Sequence, residues 1–111
     1  MTSVENVQEG IVGIWEEPNE NGYTLQIEFK ENNEVRVIYS SDTFSEDKTG
    51  TYEVYTQKVD GATTYRVRLI DVNSLFFLST MEVKELTPYK LYLHLYSTFY
   101  DIDLTYQFIR K

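Results

Sequence analysis

Along most of this chain, apolar and polar side chains alternate residue by residue, which is the pattern of β-strands that bury one face. The alternation is clearest near the C-terminus, in Leu91–Leu95 and again in Ile102–Phe108. The residues between them, Ser97-Thr98-Phe99-Tyr100, are few enough for a hairpin loop. Such a loop predicts three facing apolar pairs: Leu95 with Ile102, Leu93 with Leu104, and Leu91 with Tyr106. A two-stranded ribbon cannot bury an apolar face alone, so the rest of the chain must cover it.

Six further strands are predicted before this ribbon, the first from a run that is apolar on both faces and the others from the same alternation, interrupted by turn-forming residues. They are centred on Ile11–Trp15, Tyr23–Phe29, Val35–Tyr39, Gly50–Tyr55, Tyr65–Leu69 and Phe76–Leu86. The inward side chains of the last of these are expected to be Phe77, Ser79, Met81 and Val83. The polar stretch Ser40–Lys48 is expected to be the most mobile connection. Within Thr2–Glu9, Val4 and Val7 lie three residues apart, which predicts a short amphipathic helical turn.

The connections between the predicted strands are too short for crossovers, so neighbouring strands must run antiparallel. A meander of eight strands removes its exposed edges when the first strand pairs with the last. The pattern therefore predicts an all-β fold, an eight-stranded antiparallel up-and-down β-barrel with a short N-terminal helical turn. Two stacked four-stranded sheets would bury the same residues and are the alternative. At 111 residues, positions 1–111 are expected to form a single domain.

Charge narrows the range of partners. Eighteen acidic side chains against ten basic ones give a formal net charge of −8. Such a surface repels phosphate backbones and anionic lipid head groups, so we expect no nucleic-acid partner, whereas a basic protein would be attracted. No stretch approaches the length of a membrane span, and Met1–Gly10 lacks the basic start and apolar run of a leader. We expect the protein in the cytoplasm if Met1 is its natural start, and in the periplasm or exported if a leader was removed.

Residues that could carry chemistry are few. The chain has no Cys, which excludes disulfides, a thiol nucleophile and a thiolate metal site. Its single histidine, His94, faces Asp103 in the predicted ribbon, and a surface cross-strand pair is the simplest interpretation. Asp101 and Asp103 share one predicted strand face, and the acidic stretch Asp42–Asp47 lacks the spacing of a calcium loop. We therefore predict no enzyme activity, no metal and no cofactor.

The predicted interior is rich in tyrosine. Strand parity places ten candidate residues in the barrel lumen: Tyr23, Leu25, Phe29, Val37, Tyr39, Tyr52, Tyr65, Val67, Leu93 and Tyr106. Aromatic rings with hydroxyl groups suit a small apolar ligand that carries a polar group. They suit a filled core equally well, because an eight-stranded barrel is narrow. Exposed aromatic residues are favoured at protein interfaces, and four are predicted on the outer surface: Phe44, Tyr55, Tyr92 and Tyr96.

Four short motifs carry a resemblance to a known family. They are Gly13-Ile14-Trp15 on the first strand, Gly50-Thr51-Tyr52 on a middle strand, the turn Leu86-Thr87-Pro88, and the closing Tyr106-Gln107-Phe108-Ile109-Arg110. Together, and in this order over nearly the whole chain, they resemble the small bacterial lipocalin-like domains best known from Bacteroidetes, many of which have no known function.

The resemblance implies that Trp15 and Arg110 pack together and close one end of the barrel. The residues support this independently, because Arg110 has the parity of Phe108 and should point inward. A guanidinium group stacked on an indole ring contributes about 0.5 to 2 kcal/mol, depending on burial. The chain is shorter than the larger secreted lipocalins and lacks their Cys residues and C-terminal helix. Ligand transport therefore does not follow from the resemblance.

Two functions stay open on the sequence alone. In the first, the chain is a lipocalin-like binding domain that holds a small hydrophobic ligand in the barrel. In the second, it is an acidic interaction module, of the immunity or inhibitor type, that docks a basic protein partner on its outer surface. A lumen with internal space would favour the first function, and a solid core would favour the second.

Overall fold

The computed structural model describes residues 3–18 and 22–111 of the chain. In chain order these form α1 (Val4–Ile11), β1 (Gly13–Glu16), β2 (Thr24–Phe29), β3 (Glu34–Ser40), β4 (Ser45–Val59), β5 (Ala62–Ile70), β6 (Thr80–Leu86), β7 (Lys90–Ser97) and β8 (Ile102–Arg110).

Each strand pairs antiparallel with the next, and β1 pairs with β8, so that the sheet closes into a barrel. The predicted eight-stranded up-and-down barrel is confirmed, and the alternative of two stacked sheets is wrong. The β1–β8 ladder consists of two residue pairs, Trp15 with Arg110 and Glu16 with Ile109. Closure of the barrel therefore depends on a short stretch of backbone at one end of β8.

The N-terminal helix is longer than the single turn predicted. The Ser3 hydroxyl caps α1 by accepting a hydrogen bond from Asn6 N, as N-cap serines commonly do. Val7 and Ile11 lie on the inner face of this helix and are fully buried. The assignment of Ile11 to the first strand is therefore wrong, because its spacing of four from Val7 places it on the buried face of the helix. The first strand begins at Gly13.

The middle of the chain also differs from the prediction. Strand β4 begins at Ser45 and runs for 15 residues, so the mobile connection predicted over Ser40–Lys48 is reduced to Ser41–Phe44. The polar half of β4 pairs with β3, and the Arg36 guanidinium donates two hydrogen bonds to the Asp47 carboxylate across the ladder. This half of the strand has a solvated outer face and few apolar side chains, so alternation could not reveal it.

Strand β6 begins at Thr80, four residues later than predicted. The apolar residues Phe76–Leu78 belong instead to the connection Asp71–Ser79, which we call the plug segment, and Ser79 is exposed rather than inward. The C-terminal hairpin has the predicted faces but a register shifted by two residues, since Leu95 faces Leu104 and Leu93 faces Tyr106. An even shift leaves every side chain on the same face, so the alternation could not detect it.

Antiparallel order puts alternate connections at the same end of the barrel. Ser41–Phe44, the plug segment and Thr98–Asp101 lie at one end, together with Glu17 and Pro18, and we call this end the mouth. The opposite end holds α1 and the turns Lys30–Asn33 and Thr87–Tyr89. Beyond that end, the β4–β5 hairpin continues to a two-residue turn at Asp60-Gly61, with positive φ at both positions.

Candidate functional site

The end of the barrel opposite the mouth is closed by Trp15 and Arg110, the pair that the sequence singled out. The Arg110 guanidinium carbon lies 4.2 Å from the centre of the Trp15 ring. The same guanidinium group donates hydrogen bonds to Val12 O at 2.9 Å, Gly10 O at 3.0 Å and Pro88 O at 2.7 Å. Trp15 Nε1 donates to Ile11 O at 2.9 Å. The two side chains thus hold the last turn of α1 and the β6–β7 turn against the barrel wall.

Gly13 makes room for this arrangement. Its φ of 141° lies in the region that L side chains rarely adopt, and a Cβ atom there would collide with Arg110 Nη1. Glycine alone satisfies both requirements. This is the physical reason for the Gly-x-Trp spacing at the start of β1.

The lumen is occupied by the protein's own side chains. Of the ten candidate lumen residues, Leu25, Phe29, Val37, Tyr52, Val67 and Leu93 are buried, while Tyr23, Tyr39, Tyr65 and Tyr106 are partly buried against the same core. The plug segment adds Phe77, whose ring lies 5.3 Å from that of Tyr106 and 6.0 Å from that of Phe108. Side chains from the wall and from the plug segment together fill the barrel near the mouth.

The structure hydrogen-bonds several tyrosine hydroxyls of the predicted ligand site to other groups of the protein. Tyr52 OH donates to Lys30 O at 2.9 Å and accepts from Gln8 Nε2 at 2.8 Å. Tyr106 OH donates to Phe76 O at 2.8 Å, and Tyr23 OH donates to Glu17 Oε1 at 2.5 Å. These hydroxyls tie the two ends of the barrel to their turns, so they are already engaged in internal hydrogen bonds.

A buried carboxylate fixes the plug segment in place. Glu46 is the one charged side chain among the buried described residues, and it accepts hydrogen bonds from Ser74 Oγ at 2.7 Å and Leu75 N at 2.8 Å. The ring of Phe76 stacks on Tyr39 with 4.0 Å between centres. The sequence placed Glu46 in an exposed acidic loop, which is wrong, because the odd and even residues of β4 face opposite sides of the wall.

Two tyrosines near the mouth have strongly raised pKa values. The hydrogen bond to Glu17, with burial and the negative charge of that residue, raises the pKa of Tyr23 to about 12. Burial, together with the charge of Glu17 and the proximity of Tyr23, raises the pKa of Tyr106 to about 12. Both phenols therefore stay neutral in the folded protein at ordinary pH.

Large apolar side chains are exposed around the mouth. Leu75 in the plug segment is 77% exposed, and Phe99 and Tyr100 in the β7–β8 turn are 86% and 65% exposed. Leu75 and Tyr100 line one cleft of about 440 Å³ between these two segments, and the rings of Phe99 and Tyr100 are 4.8 Å apart. Phe44 joins them through its contact with Phe76, at 6.4 Å between ring centres. We call Phe44, Leu75, Phe99 and Tyr100 the rim patch.

The charge around the rim patch has one sign. The described residues of the segments at the mouth include Glu17, Asp42, Asp71 and Asp101, and they contain no Lys or Arg. Asp42, Asp71 and Asp101 are exposed. The mouth therefore combines apolar side chains with a uniformly negative border.

The other three predicted outward aromatics lie on strands, outside the rim patch. Tyr55 is on the outer face of β4, where the Arg68 guanidinium carbon lies 4.4 Å from its ring centre. Tyr92 and Tyr96 are on the outer face of β7, and Tyr96 packs on His94 at 6.2 Å between ring centres. Of the four predicted surface aromatics, only Phe44 belongs to the rim patch, while Tyr96 is 59% exposed one residue before the end of β7.

The predicted His94 and Asp103 pair is present, although its register differs. His94 Nε2 lies 2.7 Å from Asp103 Oδ1, but His94 faces Thr105 in the ladder, so the contact with Asp103 is diagonal. Asp101 lies in the turn before β8, with φ of 55°, so the prediction that it shares a strand face with Asp103 is wrong. Within the described ranges, no three His, Asp or Glu side chains are grouped as a metal site would require.

Sequence reasoning missed most of the rim patch. Leu75, Phe99 and Tyr100 were assigned to a connection or a hairpin loop, where apolar side chains have no core to join. That mismatch was the available signal, since large apolar residues in a turn remain exposed and often mark an interaction site.

Comparisons with protein-family models, curated proteins and solved structures found no match to this chain. A helix with the length and apolar character needed to cross a membrane is absent from the described residues.

Proposed function

We propose that this protein is a non-catalytic binding module that docks a basic protein partner at the mouth of the barrel. The observation that carries the proposal is the rim patch, in which four large apolar side chains are exposed together within a border of acidic residues. Exposed apolar clusters with a polar border are typical of protein interfaces, and aromatic residues supply much of the binding energy there.

The negative charge of the chain and of its mouth favours a basic protein as the partner. The whole chain carries a formal net charge of −8, and the mouth carries acidic side chains without described basic ones. A negative surface of this kind attracts a basic protein and raises the rate of association, and this effect weakens as salt is added. We therefore expect the partner to present Lys or Arg around an apolar centre.

The alternative is a small hydrophobic ligand in the lumen. Phe77 and the internally bonded tyrosine hydroxyls argue against it, because such a ligand would have to displace the plug segment and break its bonds to Glu46. Docking at the rim patch requires no such rearrangement, which is why we favour it.

Native mass spectrometry of the protein isolated from the cells that make it distinguishes the two proposals. We expect the wild-type protein to retain a basic protein, and Leu75→Ser with Phe99→Ser to weaken that complex by about tenfold or more. Val59→Ser is the matched control, because Val59 is an exposed apolar residue on the β4–β5 hairpin beyond the opposite end of the barrel. Retention of a small apolar molecule, or a protein complex that the rim substitutions leave unchanged, would overturn the proposal.

A further inference from the structure

The barrel wall is closed over only part of its height. Strand β8 has nine residues, whereas its ladder with β1 ends at Glu16 and Ile109. If the ladder continued past Glu16, its next hydrogen-bonded pair would join Pro18 to Gln107. Proline has no N–H group, so Pro18 cannot donate the hydrogen bond that would extend this ladder. We call the resulting gap between β8 and Glu17–Pro18 the seam.

Hydrogen-bond alternation shows which backbone groups face the seam. Arg110 N donates to Tyr89 O on the β7 side, and Lys111 N donates to Ile14 O on the β1 side. Even-numbered residues of β8 therefore bond to β7, and odd-numbered ones turn their N–H and C=O groups the other way. Asp103, Thr105 and Gln107 thus direct three N–H and three C=O groups toward the seam. Within residues 3–18 and 22–111, no strand pairs with them there.

The seam also has room for side chains. A cleft of about 440 Å³ lies along it, between β8 on one side and Glu17, Pro18 and Tyr23 on the other. Leu104 has the inward parity of Tyr106 and Phe108, yet it is 43% exposed, and it lines this cleft. The described residues that line the cleft include no Lys or Arg, and Glu17 supplies a negative charge. Asp101 just before β8 and Asp103 within it are further acidic residues at the mouth end of this strand.

We propose that the seam binds an extended, basic segment of the partner, which pairs with the free edge of β8 as an additional strand. This inference rests on the proposed function, since it gives the partner docked at the mouth a second point of attachment. An unpaired strand edge supplies affinity through main-chain hydrogen bonds, and pockets beside it select the side chains. The acidic surroundings favour Lys or Arg in the bound segment, and Leu104 favours a small apolar residue. A second copy of this chain is disfavoured as the occupant, because each copy carries a net charge of −8.

The probe for this site is a capped synthetic peptide in which lysine and valine alternate, N-methylated along one edge so that it cannot associate with itself. Residue-resolved amide exchange of the protein, with and without the peptide, is the readout. We expect the amides of Asp103, Thr105 and Gln107 to exchange rapidly in the free protein and to become protected by the peptide. A peptide with glutamate in place of lysine should give no protection.

Thr105→Pro removes one free-edge N–H without removing a bond to β7, and it should weaken peptide binding by about tenfold. Thr105→Val keeps that N–H group and should bind like the wild-type protein. Thermal unfolding of both variants verifies that the barrel remains folded.

The outcomes separate this inference from the proposed function. If peptide protection is confined to the plug segment and the β7–β8 turn, and Thr105→Pro changes nothing, the seam inference fails while docking at the rim patch stands. If the three amides are already protected in the free protein, the inference also fails. Protection that grows with protein concentration would identify a second copy as the occupant and overturn the proposed partner. The absence of binding by any peptide would overturn the seam inference alone, because the rim patch is tested by mass spectrometry.

Discussion

At the scale of single residues, Arg110 organises the end of the barrel opposite the mouth. Its guanidinium group donates to the carbonyl oxygens of Gly10 in the last turn of α1, Val12 just after that helix and Pro88 in the β6–β7 turn. Carbonyls at the end of a helix have no partner within the helix, and a positive charge near them is stabilising. A lysine could not replace this arrangement, since its single ammonium group lacks the planar fork of donors.

Gly13→Ala should therefore destabilise the fold more than an ordinary glycine substitution. The new methyl group would collide with Arg110 Nη1 and would also hold alanine at a positive φ. We expect a loss of about 1–3 kcal/mol in the free energy of unfolding, measured by urea denaturation. Gly22→Ala is the control, because Gly22 also has a positive φ but none of the described residues comes within 4 Å of its added Cβ. Equal losses in the two variants would show that the contact with Arg110 is unimportant.

Much of this residue-scale picture was accessible from the sequence. The Gly13-Ile14-Trp15 motif and the parity of Arg110 placed the two side chains at one end of the barrel. The hydrogen bonds from Arg110 to α1 were not accessible, because Ile11 and Val12 look like part of an apolar strand. Only the helix, which begins at the Ser3 cap and buries Val7 with Ile11, turns those carbonyls toward the guanidinium group.

At the scale of elements, the plug segment depends on Glu46. Hydrogen bonds to a charged group are worth about 1.5–3 kcal/mol each, and here two of them join β4 to the loop. The loop in turn carries Phe76 and Phe77 into contact with the core. Its position is therefore determined by Glu46, by the ring contacts of Phe76 and Phe77 and by the hydrogen bond from Tyr106 OH to Phe76 O, rather than by a sheet ladder.

Glu46→Gln should loosen the plug segment while leaving the barrel folded. The amide can accept through only one oxygen, so either Ser74 Oγ or Leu75 N loses its partner. We expect a loss of about 1–3 kcal/mol in stability and faster amide exchange at Leu75. Glu53→Gln is the matched control, because Glu53 pairs with Arg68 on the exposed face of β4, where an ion pair contributes about 1 kcal/mol or less. Unchanged exchange at Leu75 would refute the role of Glu46.

The elements themselves were predictable to different degrees. Strands β2, β3, β5 and β7 alternate cleanly, and the structure places them where the pattern did. The polar half of β4 was missed because its ladder with β3 is supported by Arg36 and Asp47 instead of apolar residues. The apolar run Phe76–Leu78 was mistaken for strand because periodicity cannot distinguish a plug from a wall. The predicted β7–β8 register differs from the observed one by two residues. The turn extends to Asp101, which has a positive φ, a conformation that Asp tolerates in turns.

At the scale of the whole molecule, stability should fall steeply in alkaline solution. The pKa values of Tyr23 and Tyr106 are both raised to about 12 in the folded protein, against about 10 in an unfolded chain. Between these values the unfolded state releases protons that the folded state keeps, so deprotonation favours unfolding. The stabilising effect is complete below pH 10 and is lost as the pH rises toward 12.

A pH titration of tyrosinate absorbance checks this expectation. Of the ten tyrosines, Tyr23 and Tyr106 should ionise near pH 12 as long as the protein remains folded. Glu17→Ala removes the hydrogen bond and the charge that raise the pKa of Tyr23, so the absorbance step of that residue should move to lower pH. If all ten tyrosines ionise together near pH 10 in a protein that remains folded, the raised pKa values are wrong.

The two pairs that join β1 to β8 also determine when the barrel can form during synthesis. Arg110 bonds to residues about a hundred positions earlier in the chain, so its contacts are among the most distant in sequence that the fold contains. Trp15 and the last turn of α1 must wait for β8 to leave the ribosome before they are covered. Until then the nascent sheet has two open edges, at which it is most vulnerable to pairing with a neighbouring chain.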